Sequence, residues 1–181
     1  MKVRVVVVGI GGDGWAGLDE ARRRAVLSAD VLPPEVTAER EPWPRPLRSG
    51  LPEVVERYDG RSIVALASGD PLVAGVATTL IGLLGPESVE VLPAVSSVAL
   101  ARARMRWPAE TVAVLRDHRE LPGVLAPGQR LVVLSADRHT PGDVARALAV
   151  AGFGDSVLTV LSDLGSPAEA RQSCVARDWD P

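Results

Sequence analysis

A carboxylate set between a glycine and a proline, Ser68-Gly69-Asp70-Pro71-Leu72, joins a run that reads as a buried strand, Ser62 to Ala67, to an apolar helix-like stretch, Val73 to Leu84. At such a strand-to-helix junction an α/β sheet binds its ligands. Gly69 lets backbone approach a ligand closely, and Asp70 can accept a hydrogen bond from a ribose hydroxyl. The same residues serve structure equally well, because Asp70 can cap a helix and Pro71 suits its first position with no ligand present. These residues by themselves leave both readings open.

A second candidate is Gly9-Ile10-Gly11-Gly12-Asp13-Gly14, which follows an apolar run ending at Val8 and matches the G-x-G-x-x-G spacing of dinucleotide-binding turns. A nicotinamide site also wants an acid at the carboxyl end of the second strand to hold the ribose. Asp30 has about the right separation, but it precedes Val31-Leu32, and Pro33-Pro34 stands at the end of that short strand. The placement of Asp30 ahead of that short strand, with prolines at its end, favours a glycine turn that lets the chain leave its first strand. A third segment, Pro93-Ala94-Val95-Ser96-Ser97, follows the apolar run Val89 to Leu92. His118 and His139 are the only histidines, too few and too far apart to suggest a metal site. Cys174 reads as part of a polar tail without a base to activate it.

The elements that must position these residues alternate between strand and helix. Lys2 to Val8 is a β-branched run suited to a central parallel strand, and a helix is expected from about Ala16 to Ala29. Asp30-Val31-Leu32 reads as a brief strand, and the prolines from Pro33 to Pro46 exclude regular structure until a helix over Leu51 to Tyr58. Beyond the second and third loops, a helix is expected from Ser96 or Ser97 to Met105, ended by Trp107-Pro108. Strands then fall at Thr111 to Leu115, Arg130 to Leu134 and Val157 to Leu161, with a helix over Pro141 to Ala151 capped by Thr140. The pattern predicts an α/β fold of two domains, residues 1–108 and 109–181, each a parallel or mixed sheet flanked by helices. All three loops then open at carboxyl ends of strands.

Composition narrows the class of partner. The 181 residues are 46% hydrophobic, enough for a sizeable core, and the net charge of −3 is spread along the chain without a basic footprint for nucleic acid or a polybasic membrane patch. No apolar run reaches membrane-spanning length, and one cysteine with no signal peptide points to a reducing cytoplasm.

Taken together, the glycine turn, the Gly69-Asp70-Pro71 loop and the P-x-x-S-S segment, in this order, resemble the tetrapyrrole (corrin/porphyrin) methylases, and within them the branch of precorrin-6Y C5,15-methyltransferase type. Trp107-Pro108, Leu134-Ser135-Ala136-Asp137, Gly152-Phe153-Gly154-Asp155 and Leu164-Gly165-Ser166-Pro167 extend the resemblance over nearly the whole chain. Asp117-His118-Arg119 departs from the His-Gly-Arg of that branch, Val73-Ala74 replaces bulkier residues, and the chain reads as short of a last strand.

The resemblance implies an S-adenosylmethionine-dependent methyltransferase acting on a cobalamin precursor, with precorrin-6Y/7-type methylation at C5. It implies donor contacts at Gly12, Gly69, Asp70, Val73, Ser97, Val98 and Leu134, and tetrapyrrole contacts at Gly11 and Arg119. No catalytic side chain is assigned, since transfer from a sulfonium needs mainly alignment and exclusion of water. A substrate rich in carboxylates suits arginines near the junction, namely Arg102, Arg104, Arg106, Arg116 and Arg119, although each singly also reads as ordinary helix surface. The family implies a homodimer, with methylation at C15 and decarboxylation left to a separate partner. Methylation of another substrate, or a non-catalytic tetrapyrrole-binding subunit, remain the alternatives.

Overall fold

The computed structural model describes residues 4–28, 44, 47–58 and 60–179. The chain divides into two compact units, Met1–Ser96 and Ser97–Pro181. The helix that follows the P-x-x-S-S segment therefore belongs with the second unit, where the sequence expectation had grouped it with the first.

The first unit is built on β1 (Arg4–Ile10), which lies between β2 (Ser62–Ser68) and β3 (Val89–Leu92) and runs parallel to both. Successive side chains of a strand point to opposite faces. Val5 and Val7 enter a core with Leu51, Ala65, Ala77 and Leu80, under α2 (Leu47–Arg57) and α3 (Val76–Leu84). Val8 enters a second cluster with Leu18, Val26 and Val64, under α1 (Glu20–Leu27), and Val6 and Ile10 pack against it. Both faces are covered, so the strand is apolar throughout rather than alternating.

Three helix starts differ from expectation, and one of them, α2, begins at Leu47, ahead of the expected Leu51. The helix expected from Ala16 is a short 3-10 turn, Gly14–Gly17, followed by α1 from Glu20. Asp19 caps α1 by accepting from the Arg22 N–H at 2.8 Å, a side-chain cap that the glycine-flanked stretch before it lacks. The helix expected from Val73 begins only at Val76, with Gly75 as its N-cap. Ala74 sits at a left-handed φ of 52°, which prevents the helix from extending back through it. Asp70 therefore does not cap α3, and Pro71 is not its first residue. The Asp70 carboxylate instead accepts from the Leu72 N–H at 2.9 Å, and its carbonyl from the Val73 N–H at 3.0 Å, closing a local turn. The strand expected at Asp30-Val31-Leu32 and the loop Pro33 to Pro46, apart from Pro44, lie outside the described residues.

In the second unit, α4 (Ser97–Met105) stops where Arg106 turns left-handed at φ 56° and the Trp107 N–H reaches back to the Arg102 carbonyl at 2.9 Å. β4 (Val112–Leu115) and β5 (Arg130–Val133) pair parallel, while β6 (Val157–Ser162) and β7 (Ala170–Val175) pair antiparallel. Cys174 is thus a half-buried strand residue opposite Leu158, not part of a polar tail. α5 (Thr140–Val150) supplies Val144, Ala145 and Leu148 to a core with Leu115, Leu121 and Ala176. Thr140 is not the cap expected of it. The N-cap position falls to His139, which makes no side-chain cap bond; ahead of it the Asp137 carboxylate accepts from the N–H groups of His139 (2.8 Å) and Thr140 (3.0 Å), and these bonds hold its pKa below the usual carboxylate value. A cavity of about 280 Å³ touches consecutive residues of β5 and of β6, including Leu131, Val132, Val133 and Val160, so it lies along the two strand edges.

Candidate active site

The candidate site grows from the carboxyl ends of the three parallel strands in the first unit. The strand order β2-β1-β3 reverses across β1, and ligands of open α/β sheets bind outside the carboxyl ends at such a reversal. Here the three loops are joined through their backbones. The Gly69 N–H donates to the Ile10 carbonyl at 2.7 Å, and the Gly69 carbonyl accepts from the Ala94 N–H at 3.3 Å. Gly69 adopts φ 61°, which a side chain would resist, and turns both of its polar groups toward its neighbours. Gly9 lies where they converge: a Cβ there would come within 3.0 Å of both the Gly69 oxygen and the Ala94 nitrogen.

On this floor Gly12 is exposed, while Gly11, Gly69, Asp70 and Val73 are half-buried. One oxygen of Asp70 is oriented by the Leu72 N–H, and a carboxylate has about four acceptor positions, so capacity remains for a ligand's hydroxyl or positive charge. The amino end of α1 is already occupied by Asp19. A dinucleotide's pyrophosphate, which such folds seat on that helix end, would meet a carboxylate instead.

The arginine Arg22 was not singled out from the sequence, although an aspartate three residues before it at a helix start is a legible signal. Its guanidinium donates to Asp19 at 2.7 Å and to the Pro93 carbonyl of the third loop.

In the second unit the expected donor contacts occupy different places: Ser97 opens α4 and is exposed, Val98 is buried, and Leu134 follows β5, its N–H extending the pairing to the Leu115 carbonyl at 2.9 Å. Arg119 is largely exposed, but its guanidinium is engaged by Asp117, with its Nε 2.9 and 3.0 Å from the two carboxylate oxygens. These bonds from Arg119 hold the Asp117 carboxyl well below its usual range. Arg104 is similarly engaged, in a two-point contact with Glu169 at 2.5 and 2.9 Å. Glu169 also accepts from the Gly165 N–H at 2.8 Å, and the Arg104 contact first, then this one, lower its pKa to about 2. The guanidinium of Arg130 stacks over Trp107 at 5.6 Å, while Arg106 and Arg116 are exposed.

Residues 4–179 match the family profile of the tetrapyrrole (corrin/porphyrin) methylases. The chain belongs to this family. Among the relatives of this methylase chain, a precorrin-6Y C(5,15)-methyltransferase (decarboxylating) from Mycobacterium tuberculosis is 43% identical over 97% of the chain and 47% of the relative. A cobalt-precorrin-7 C(5)-methyltransferase from Salmonella typhimurium is 27% identical over 91% of the chain and 87% of the relative. The chain thus spans about half the length of the first of these and most of the second. A crystal structure of a precorrin-6Y methylase from Archaeoglobus fulgidus superposes with a TM-score of 0.70 at 23% identity, over 98% of this chain and 92% of that one, and shows the shared fold.

Proposed function

We propose that this chain is an S-adenosylmethionine-dependent C-methyltransferase that methylates a corrin precursor of precorrin-6Y/7 type at C5. One observation carries the reading. In a chain of this family, the three loops that should receive the donor converge on the Gly9, Gly69 and Ala94 backbones and present the oriented Asp70 carboxylate beside them.

The donor's sulfonium supplies an already activated methyl group; a carbon–carbon bond forms as the carbon–sulfur bond breaks, and that electron pair stays on sulfur. The work left to the chain is alignment and exclusion of water. In this reading Asp70 accepts from the donor's ribose or balances its positive charge, Gly12 and Gly69 offer close backbone, and Val73 forms an apolar wall. Gly11 and Arg119 serve the tetrapyrrole. Arg119 already holds Asp117, so a substrate carboxylate must share or displace that partner. Methylation at C15 and decarboxylation, named for the Mycobacterium tuberculosis relative, belong in this proposal to a separate catalytic module. A homodimer and a cytoplasmic setting form part of the same proposal.

The test is incubation of the purified protein with tetrapyrrole intermediates and a methyl-labelled donor, with the product read by mass spectrometry and NMR. Label at C5 supports the reading, and label on another carbon reassigns the substrate. Binding of the tetrapyrrole without transfer would leave only a carrier role. Calorimetry is expected to detect S-adenosylhomocysteine and not NADH; the reverse result would overturn the donor assignment.

A further inference from the structure

We propose that Arg22 is a positioning residue for the donor site, holding the third loop at the level where it meets the Gly69-Asp70-Pro71 loop. The inference rests on the donor reading above and adds to it a residue outside all three loop motifs.

The geometry is a chain of polar contacts within the first unit. Asp19 grips Arg22 twice, through the backbone N–H at 2.8 Å and the guanidinium at 2.7 Å, and so fixes the direction of the side chain. The other end of the guanidinium donates to the Pro93 carbonyl. That carbonyl and the Ala94 N–H are the two polar ends of a single peptide unit, and the Ala94 N–H donates to the Gly69 carbonyl. The unit is therefore held at both ends, and it cannot rotate without losing one contact. Proline has no N–H of its own, so residue 93 can anchor only through its carbonyl. A charged donor makes that anchor stronger than a neutral one would be. Gly69 in turn precedes Asp70 directly, so the same chain sets where the Asp70 turn stands.

Arg24 provides the control. It lies on the same helix and carries the same charge, but its side chain is 74% exposed and, among the described residues, pairs within the helix, with Glu20 at 2.6 Å.

The experiment compares wild type, Arg22→Ala, Arg22→Lys and Arg24→Ala by calorimetry with S-adenosylhomocysteine and by hydrogen exchange at the Ala94 amide, after circular dichroism confirms folding. Arg22→Ala is expected to raise the Kd on the order of tenfold and to speed Ala94 exchange, with Arg22→Lys intermediate and Arg24→Ala like wild type in both. In turnover the Arg22 loss should appear in KM for the donor more than in kcat. A wild-type Kd and unchanged Ala94 exchange in Arg22→Ala overturn the inference, as does an equal effect of Arg24→Ala, which would indicate net charge alone. If Arg22→Ala does not fold, Arg22→Lys decides by the same two readings. If wild type itself fails to bind S-adenosylhomocysteine, the donor reading falls and the role in donor positioning falls with it, while Ala94 exchange shows separately whether the anchor exists.

Discussion

Asp70 illustrates how one carboxylate can hold a turn and still be available to a ligand. Its contact with the Leu72 N–H uses one oxygen, and an asparagine amide oxygen can make the same bond. Asp70→Asn is therefore expected to leave the melting temperature nearly unchanged while weakening S-adenosylhomocysteine binding by on the order of 1 kcal/mol or more, as loss of a charged acceptor should. Thermal melts and calorimetry on the same preparation check both halves; unchanged affinity would reduce Asp70 to a turn residue. Gly9 is a different kind of site residue, defined by lack of room. Its added methyl would press on backbone atoms of two loops, which cannot swing aside as a flexible side chain can. Gly9→Ala should cost about 1–3 kcal/mol in denaturant unfolding and should also weaken donor binding, because relief requires the loops to part.

Among the elements, the β6–β7 hairpin shows an electrostatic attachment. Glu169, at its turn, is gripped by Arg104 of α4 and by the Gly165 N–H. Its carboxyl, lowered from the usual 4.5 to about 2, binds its proton more weakly in the folded protein than in the unfolded chain. The stabilisation is therefore complete above 4.5 and is lost as pH falls through about 2. An NMR titration should find the Gly165 amide steady down through the ordinary carboxylate range and shifting only near the lower value. Glu169→Gln should loosen that amide at every pH where the wild-type carboxylate is ionised, since a neutral amide replaces the charged partner of Arg104. A Gly165 shift that follows ordinary glutamate titration would remove the attachment.

At the scale of the molecule, each unit has its own buried core. Leu121 is 1% exposed among Val144, Ala145 and Leu148, whereas Leu51 is fully buried beneath β1 with no member in common. Leu121→Ala should cost about 2–5 kcal/mol, and hydrogen exchange should show lost protection concentrated in β4, β5 and α5 rather than in β1, β2 and β3. Equal loss in both units would mean that they unfold as one cooperative body.

Much of this chain was legible from its residues. The continuous Val5 to Val8 run, with glycines directly after it, specifies a doubly covered parallel strand and a loop at its carboxyl end, because hydrophobic pattern and backbone freedom are local properties. The order of the three loop motifs likewise carries the family, and β2, β3 and α4 begin at or within a residue of where the pattern places them. The start of α3 was not legible, because Asp-Pro is a sound helix start in isolation and only the left-handed Ala74 displaces it to Val76. Thr140 opens α5 instead of capping it for a similar reason: several side chains can satisfy the same amides, and here Asp137 takes those of His139 and Thr140. The partners of the arginines were least visible of all. Arg22 reaches a carbonyl 71 residues away and Arg104 a carboxylate 65 residues away. Sequence determines that a charge is present and what it could bind, but contacts between distant segments exist only once the strands have paired and the helices have packed.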